Sequence, residues 1–107
     1  MMLDEHEAIS VAFNAATDVL SVRFAYDDAR VAGTRDAMLL LDAAGYLVGV
    51  DLGDARGVRS IVMLGPHEKV ERTIDAKISV TASNDVYTAR IEGASDAVRA
   101  NEKNPYV

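Results

Sequence analysis

The chain has 107 residues, half of them hydrophobic and 26% charged, with a formal net charge of −6. That length fits one domain, and the composition is globular, not disordered. Cysteine is absent and the eleven Lys and Arg stand singly, which excludes disulfides and thiolate metal sites and leaves no basic stripe for nucleic acid.

The start, "MMLDEHEAIS", is acidic and lacks the basic-then-apolar order of a signal peptide. No apolar run approaches the ~20 residues of a membrane helix. A cytoplasmic protein that binds neither nucleic acid nor membrane is expected. His6 sits among Asp4, Glu5 and Glu7, a set able to ligate a metal, but at a terminus expected to fray.

Large residues fall on odd positions in Ile9-Ser10-Val11-Ala12-Phe13 and on even positions in Leu20–Tyr26. Period two predicts half-buried strands, joined as a hairpin through Asn14–Asp18. A turn at Asp27-Asp28 and a short edge strand near Arg30–Thr34 follow. Strands are predicted at about 37–42 and 46–52, and a break at Asp54–Gly57. The β-branched content of Val58–Leu64 favours a strand, and Gly65-Pro66 signals a turn.

Ile74, Ala76, Ile78, Val80 and Ala82 alternate with polar residues, the cleanest amphipathic strand in the chain. Ser83-Asn84-Asp85 turns it into Val86–Glu92. Ser95 is expected to cap a short helix to about Glu102, with Asp96 in its first turn and Pro105 beyond its end. Hairpins 9–26 and 74–92 echo each other: Asp18-Val19 matches Asp85-Val86, and Arg23 matches Arg90. Duplication is one reading and shared strand composition the other. Breaks too short for parallel crossovers predict a mainly β (α+β) fold: one domain, an antiparallel meander or roll of hairpins with a short C-terminal helix.

The run "LLLDAAGYLVGVDLG", residues 39–53, fixes a register if Asp42–Gly45 is a type I turn closed by a left-handed Gly45. Leu41 then faces Leu47, Leu40 faces Val48, Met38 faces Val50, and Ala37 faces Asp51. Leu39, Leu41 and Leu47 share one face, while Leu40, Val48, Met38 and Val50 share the other. Both faces are apolar, which predicts cover on both sides. The C-terminal helix or a second copy of the chain could supply it, so Leu39, Leu41 and Leu47 are the expected interface of a homodimer. The same register sets Arg35 diagonal to Asp51 as an ion-pair partner.

"VAFNAATDVLSVRF" followed by "LLLDAAGYLVGVDLGDAR" resembles the bacterial domain of unknown function 2283 family over about residues 9–56. Asp18, Leu20, Val22, Leu41, Asp42, Gly45, Val48, Gly49 and Val50 carry the likeness. Phe13-Asn14 stands where Tyr-Asp is usual, Ser21 where Tyr is, and Asp51 where Glu is. The resemblance implies a β-rich unit and no catalytic residues; residues 57–107 have no counterpart in it.

For chemistry, none of the serines lies in a Gly-x-Ser-x-Gly setting. Gly53–Gly57 lacks the Lys-Ser/Thr of a phosphate loop. Two readings remain. The first is a self-associating interaction or scaffold module without catalysis or cofactor, partnered by its own copy or another protein. The second is a small-molecule or metal binder, or a small enzyme, with a pocket around Asp51, Asp54, Arg56 and His67.

Overall fold

The computed structural model describes residues 2–25, 32–55, 57–83, 86–100 and 102–106. Its strands are β1 (Met2–Asn14), β2 (Val19–Ala25), β3 (Gly33–Leu41), β4 (Leu47–Ala55), β5 (Val58–Met63), β6 (Arg72–Ser83) and β7 (Val86–Glu92). A 3-10 turn, His67–Lys69, precedes β6, and helix α1 (Ala94–Ala97) follows β7. The mainly β architecture with a short C-terminal helix is as the periodicity predicts, and the sheet closes into a barrel of order β1-β2-β7-β6-β3-β4-β5.

Closure depends on the N-terminal residues. Met2–Glu7, expected to fray, instead pair in parallel with Val58–Met63, a parallel ladder among antiparallel neighbours in the described residues. Pairing satisfies backbone groups that an open edge leaves exposed. Beyond Glu7 the strand turns to its other neighbour, and Ala8–Asn14 pair with β2. A bulge between Ala8 and Ser10 leaves Ile9 as the extra residue, 53% exposed, while Val11 and Phe13 pack on the core. The apparent alternation from Ile9 to Phe13 therefore spans a change of face.

The two echoing hairpins lie side by side. Leu20 pairs with Ile91, Val22 with Ala89 and Phe24 with Tyr87, a register symmetric about the Val22/Ala89 pair. Arg23 and Arg90 point outward on adjacent strands and are exposed. The turn at Asp27-Asp28 and the turn residues Asn84-Asp85 lie outside the described residues, as does the start of the expected edge strand near Arg30. Gly33 and Thr34 belong to β3 itself.

The turn at Asp42–Gly45 forms as expected, with Gly45 at φ 96° and its N–H donating to the Asp42 carbonyl. The register does not follow it. Leu41 faces Leu47, but Leu40 faces Gly49, Leu39 faces Val50 and Met38 faces Asp51. Val48 is the extra residue of a β4 bulge, and the one-residue slip beyond it reassigns faces. Leu39, Leu41 and Leu47, expected at a dimer surface, are fully buried in the barrel core with Val50 and Leu52. On the outside, Leu40, Val48 and Met63 form a second cluster, covered by Ile61, Val70 and Tyr106 of the same chain. The two-faced apolarity is real, and the same chain supplies the outer cover, with Tyr106 of its C-terminal segment beside Ile61 and Val70.

Two glycines make that cover possible. A Cβ on Gly49 would lie 2.7 Å from Met63 Sδ and 2.8 Å from the Val62 carbonyl. One on Gly65 would lie 2.5 Å from the Tyr106 ring. A second bulge, between Asp51 and Gly53, carries β4 on to Ala55, through the break expected at Asp54.

Helix α1 is shorter than the span to Glu102 that the sequence predicts. Its N-cap is Gly93, not Ser95. Asp18, itself at φ 56°, accepts Ser95 N–H on its carboxylate at 3.1 Å and Gly93 N–H on its carbonyl at 3.0 Å. Ala94 and Val98 join the main core, so α1 plugs the barrel end where β2 begins and β7 finishes. Arg99, Ala100 and residues 102–106 run back over that end as a strap.

Candidate functional site

The residues singled out in the sequence do not share one pocket. Asp51 lies on the outer face of β4, 3% exposed, and its partner is Arg59 of β5. Arg59 Nε donates to Oδ2 at 2.9 Å, its Nη2 donates to the same oxygen, and Gly53 N–H donates to Oδ1 at 2.9 Å. Arg35, the partner expected, lies on the opposite face: it shares the inward phase of β3 with Ala37 and Leu39, and its Nε is buried. The bulged register puts these two residues on different sides of the sheet. Hydrogen bonding to Asp51, aided by the charges of Asp51 and Asp54, raises the pKa of Arg59 further above its usual value.

Asp54 faces Arg59 in the ladder, and Arg56 lies outside the described residues. Asp51, Gly53 and Arg59 line a wide cleft of about 630 Å³ with Asp36, Met38 and Lys77. Its central polar groups already satisfy one another, and the Lys77–Asp36 pair at 3.9 Å is solvent-exposed and weak.

His67 sits elsewhere. Its Nε2 hydrogen-bonds Glu5 Oε1 at 2.9 Å, both side chains being about half exposed. Glu5 belongs to the cleft bordered by Glu7 and Met63–Pro66, separate from that of Asp51. The acidic cluster around His6 is divided by strand alternation. Glu5 and Glu7 point outward, while His6 turns toward Phe24, with ring centroids 6.3 Å apart. Among the described residues no three His, Asp or Glu side chains converge to hold a metal ion.

A more enclosed site lies at the strap-covered end, and the sequence analysis missed it. β5 stops at Met63, opposite Glu7, so Ala8–Asn14 have no strand neighbour on that side among the described residues. The wall is open there between β1 and the start of β4, and the strap closes over the gap. The resulting cavity is about 290 Å³. Val11, Phe13, Leu20, Leu47, Val98 and Ala100 line it with apolar surface, and Arg99, Glu102, Lys103 and Asn104 of the strap line its rim.

The strap is anchored along its length. Arg99 N–H donates to the Gly45 carbonyl at 3.0 Å, and Asn104 Nδ2 to the Leu47 carbonyl at 2.8 Å. The Arg99 guanidinium stacks over the Tyr46 ring at 5.5 Å. Glu102 Oε2 accepts the Tyr46 hydroxyl at 2.5 Å and Arg99 Nη1 at 3.4 Å. The Tyr46 hydroxyl, with help from Arg99, holds the Glu102 carboxyl below its usual range.

At the far end of the strap the Tyr106 hydroxyl donates to Asp42 Oδ2 at 2.7 Å. Asp42 Oδ1 is occupied by the N–H groups of Ala44 and Tyr46. The Tyr106 bond, then these backbone donors, pull the Asp42 carboxyl down against the effect of burial, while the carboxylate pushes Tyr106 up to about 12.

The available signal for this site was the odd-position apolar set Val11 and Phe13 together with an amphipathic tail. Neither shows, in sequence, that β5 ends early. Compared with family models, curated proteins and solved structures, the chain matches none.

Proposed function

We propose that this protein is a small binding module whose ligand site is the cavity beneath the C-terminal strap. The observation that carries the reading is a partly enclosed cavity of about 290 Å³ lined by six apolar side chains, with its polar residues all supplied by the strap. Small-molecule sites have this build: mostly apolar, concave, with a few polar groups to orient the ligand, and volumes from about 300 Å³ upward. Elsewhere Phe24, Leu39 and Ile78 are fully buried, and Leu39 and Ile78 also border a wider cleft of about 580 Å³ lined by the charged residues Asp75, Lys77, Arg90 and Glu92.

A self-associating scaffold was expected because three leucines needed cover. With those leucines inside the barrel, that motive is gone and the cavity takes its place as the feature that wants a partner. The polar cleft at Asp51 is the weaker candidate, because Asp51 and Arg59 spend their charges on each other.

The test is a titration of the ¹⁵N-labelled chain with octan-1-ol, followed by amide shifts. Changes confined to Val11, Phe13, Leu20, Leu47 and Val98 are expected, and Ala100→Phe, which fills the cavity from the strap side, should suppress them. No saturable change, or changes centred on Asp51 and Arg59, would refute the assignment.

A further inference from the structure

The rim of the strap cavity is not electrically neutral. Glu102 is its one acid, and that carboxylate is already engaged by the Tyr46 hydroxyl and by Arg99. Lys103, exposed beside it on the strap, makes no ion pair among the described residues. A third cation stands close by. Arg72 Nη2 and the Arg99 side chain both come within 4 Å of the point where Gly45 would carry a Cβ. Arg72 does not itself line the cavity and Arg99 is matched by Glu102, so Lys103 is the uncompensated charge at the rim of a chain whose formal net charge is −6. An exposed cation without a counter-charge, set beside an apolar cavity, attracts a ligand group of opposite sign.

We infer that the ligand is an amphipathic anion: a compact apolar body that fills the cavity and a carboxylate-like head that lies at the rim against Lys103. This rests on the cavity being the binding site. The apolar floor recognises the body by burial, and the unpaired rim cation selects the head by sign. The volume sets the size. At about 30 Å³ per water-sized unit the cavity takes about ten such units, and hence a ligand body of about ten non-hydrogen atoms. A short-chain or single-ring carboxylate meets both conditions. A long acyl chain or a nucleotide would extend beyond the rim.

Octanoate, octan-1-ol and octylammonium share a chain and differ in head charge, so calorimetric titration of the full chain with each separates the two layers of inference. Octanoate is expected to bind tightest, about fivefold or more over octylammonium at low salt, with the gap narrowing as salt screens the exposed rim. Lys103→Glu, a change on an exposed strap residue, should weaken octanoate about three- to tenfold and leave octan-1-ol within about twofold. Equal binding of the three probes, or preference for octylammonium, overturns the anion assignment while leaving the cavity as the site. Failure of all three to bind overturns the cavity reading itself.

Discussion

Asp51→Ala should be among the most damaging single substitutions on the outer surface of this barrel. The carboxylate is 3% exposed and accepts from Gly53 N–H and twice from Arg59. A hydrogen bond to a charged group contributes about 1.5–3 kcal/mol. The Arg59 side chain is 38% exposed, so its share falls toward the ~0–1 kcal/mol of a solvent-screened pair. The Gly53 donor lies in the β4 bulge and is stranded when the carboxylate goes. Together these give a loss of about 2–4 kcal/mol, or roughly 10–20 °C in Tm for a domain of this size.

Urea denaturation and thermal melts by circular dichroism read both quantities. Arg59→Met should cost at least as much, because it leaves the more buried partner charged and without its counter-ion. The double variant Asp51→Ala/Arg59→Met should lose less than the two single losses added, with a coupling of about 1 kcal/mol or more. If Asp51→Ala falls within about 0.5 kcal/mol of wild type, the ion pair is not the element that orders the β4–β5 bulge, and the reasoning fails.

Two other outcomes follow from the same geometry. Gly49→Ala should cost about 2–3 kcal/mol in urea denaturation: Met63 Sδ can swing from the new Cβ, but the Val62 carbonyl at 2.8 Å is fixed in the β4–β5 ladder. A fully stable variant would show that the two strands part more easily than their register implies.

Tyr106→Phe should flatten both ends of the pH–stability profile. The Asp42 carboxyl is lowered from 3.8 on folding, so its contribution is complete above that value and is lost as pH falls through the lower folded value. Tyr106 is raised from 10.0 to about 12, so its contribution is complete below 10.0 and drains away as pH climbs toward about 12. Melting temperatures measured across both ranges for wild type and variant should converge at the extremes. Parallel curves would mean that the Tyr106–Asp42 bond does not anchor the strap.

Period-two alternation in Leu20–Tyr26, Ile74–Ala82 and Val86–Glu92 was enough to place the β2, β6 and β7 strands, because alternation is a local consequence of pleating. The Asp42–Gly45 turn was equally legible, since its hydrogen bonds and its left-handed glycine belong to neighbouring residues. The need to cover both faces of Leu39–Val50 was also present in the letters. What covers them was not. Val48 bulges and Gly49 admits Met63, and that slip of one residue sent Leu39, Leu41 and Leu47 inward and set Asp51 beside Arg59 instead of Arg35. A bulge is chosen by packing between strands, and no local pattern announces it.

Three further features depend on chain segments far apart in sequence: the parallel ladder of Met2–Glu7 with β5, the early end of β5 at Met63, and the strap that Tyr106 pins to Asp42. The candidate site is made where those three meet. Composition and periodicity determined that this chain builds a sheet with an apolar interior. Only the closure of that sheet decided where its wall stays open, because strand ends and registers are set by which distant partners satisfy one another's backbone and side chains.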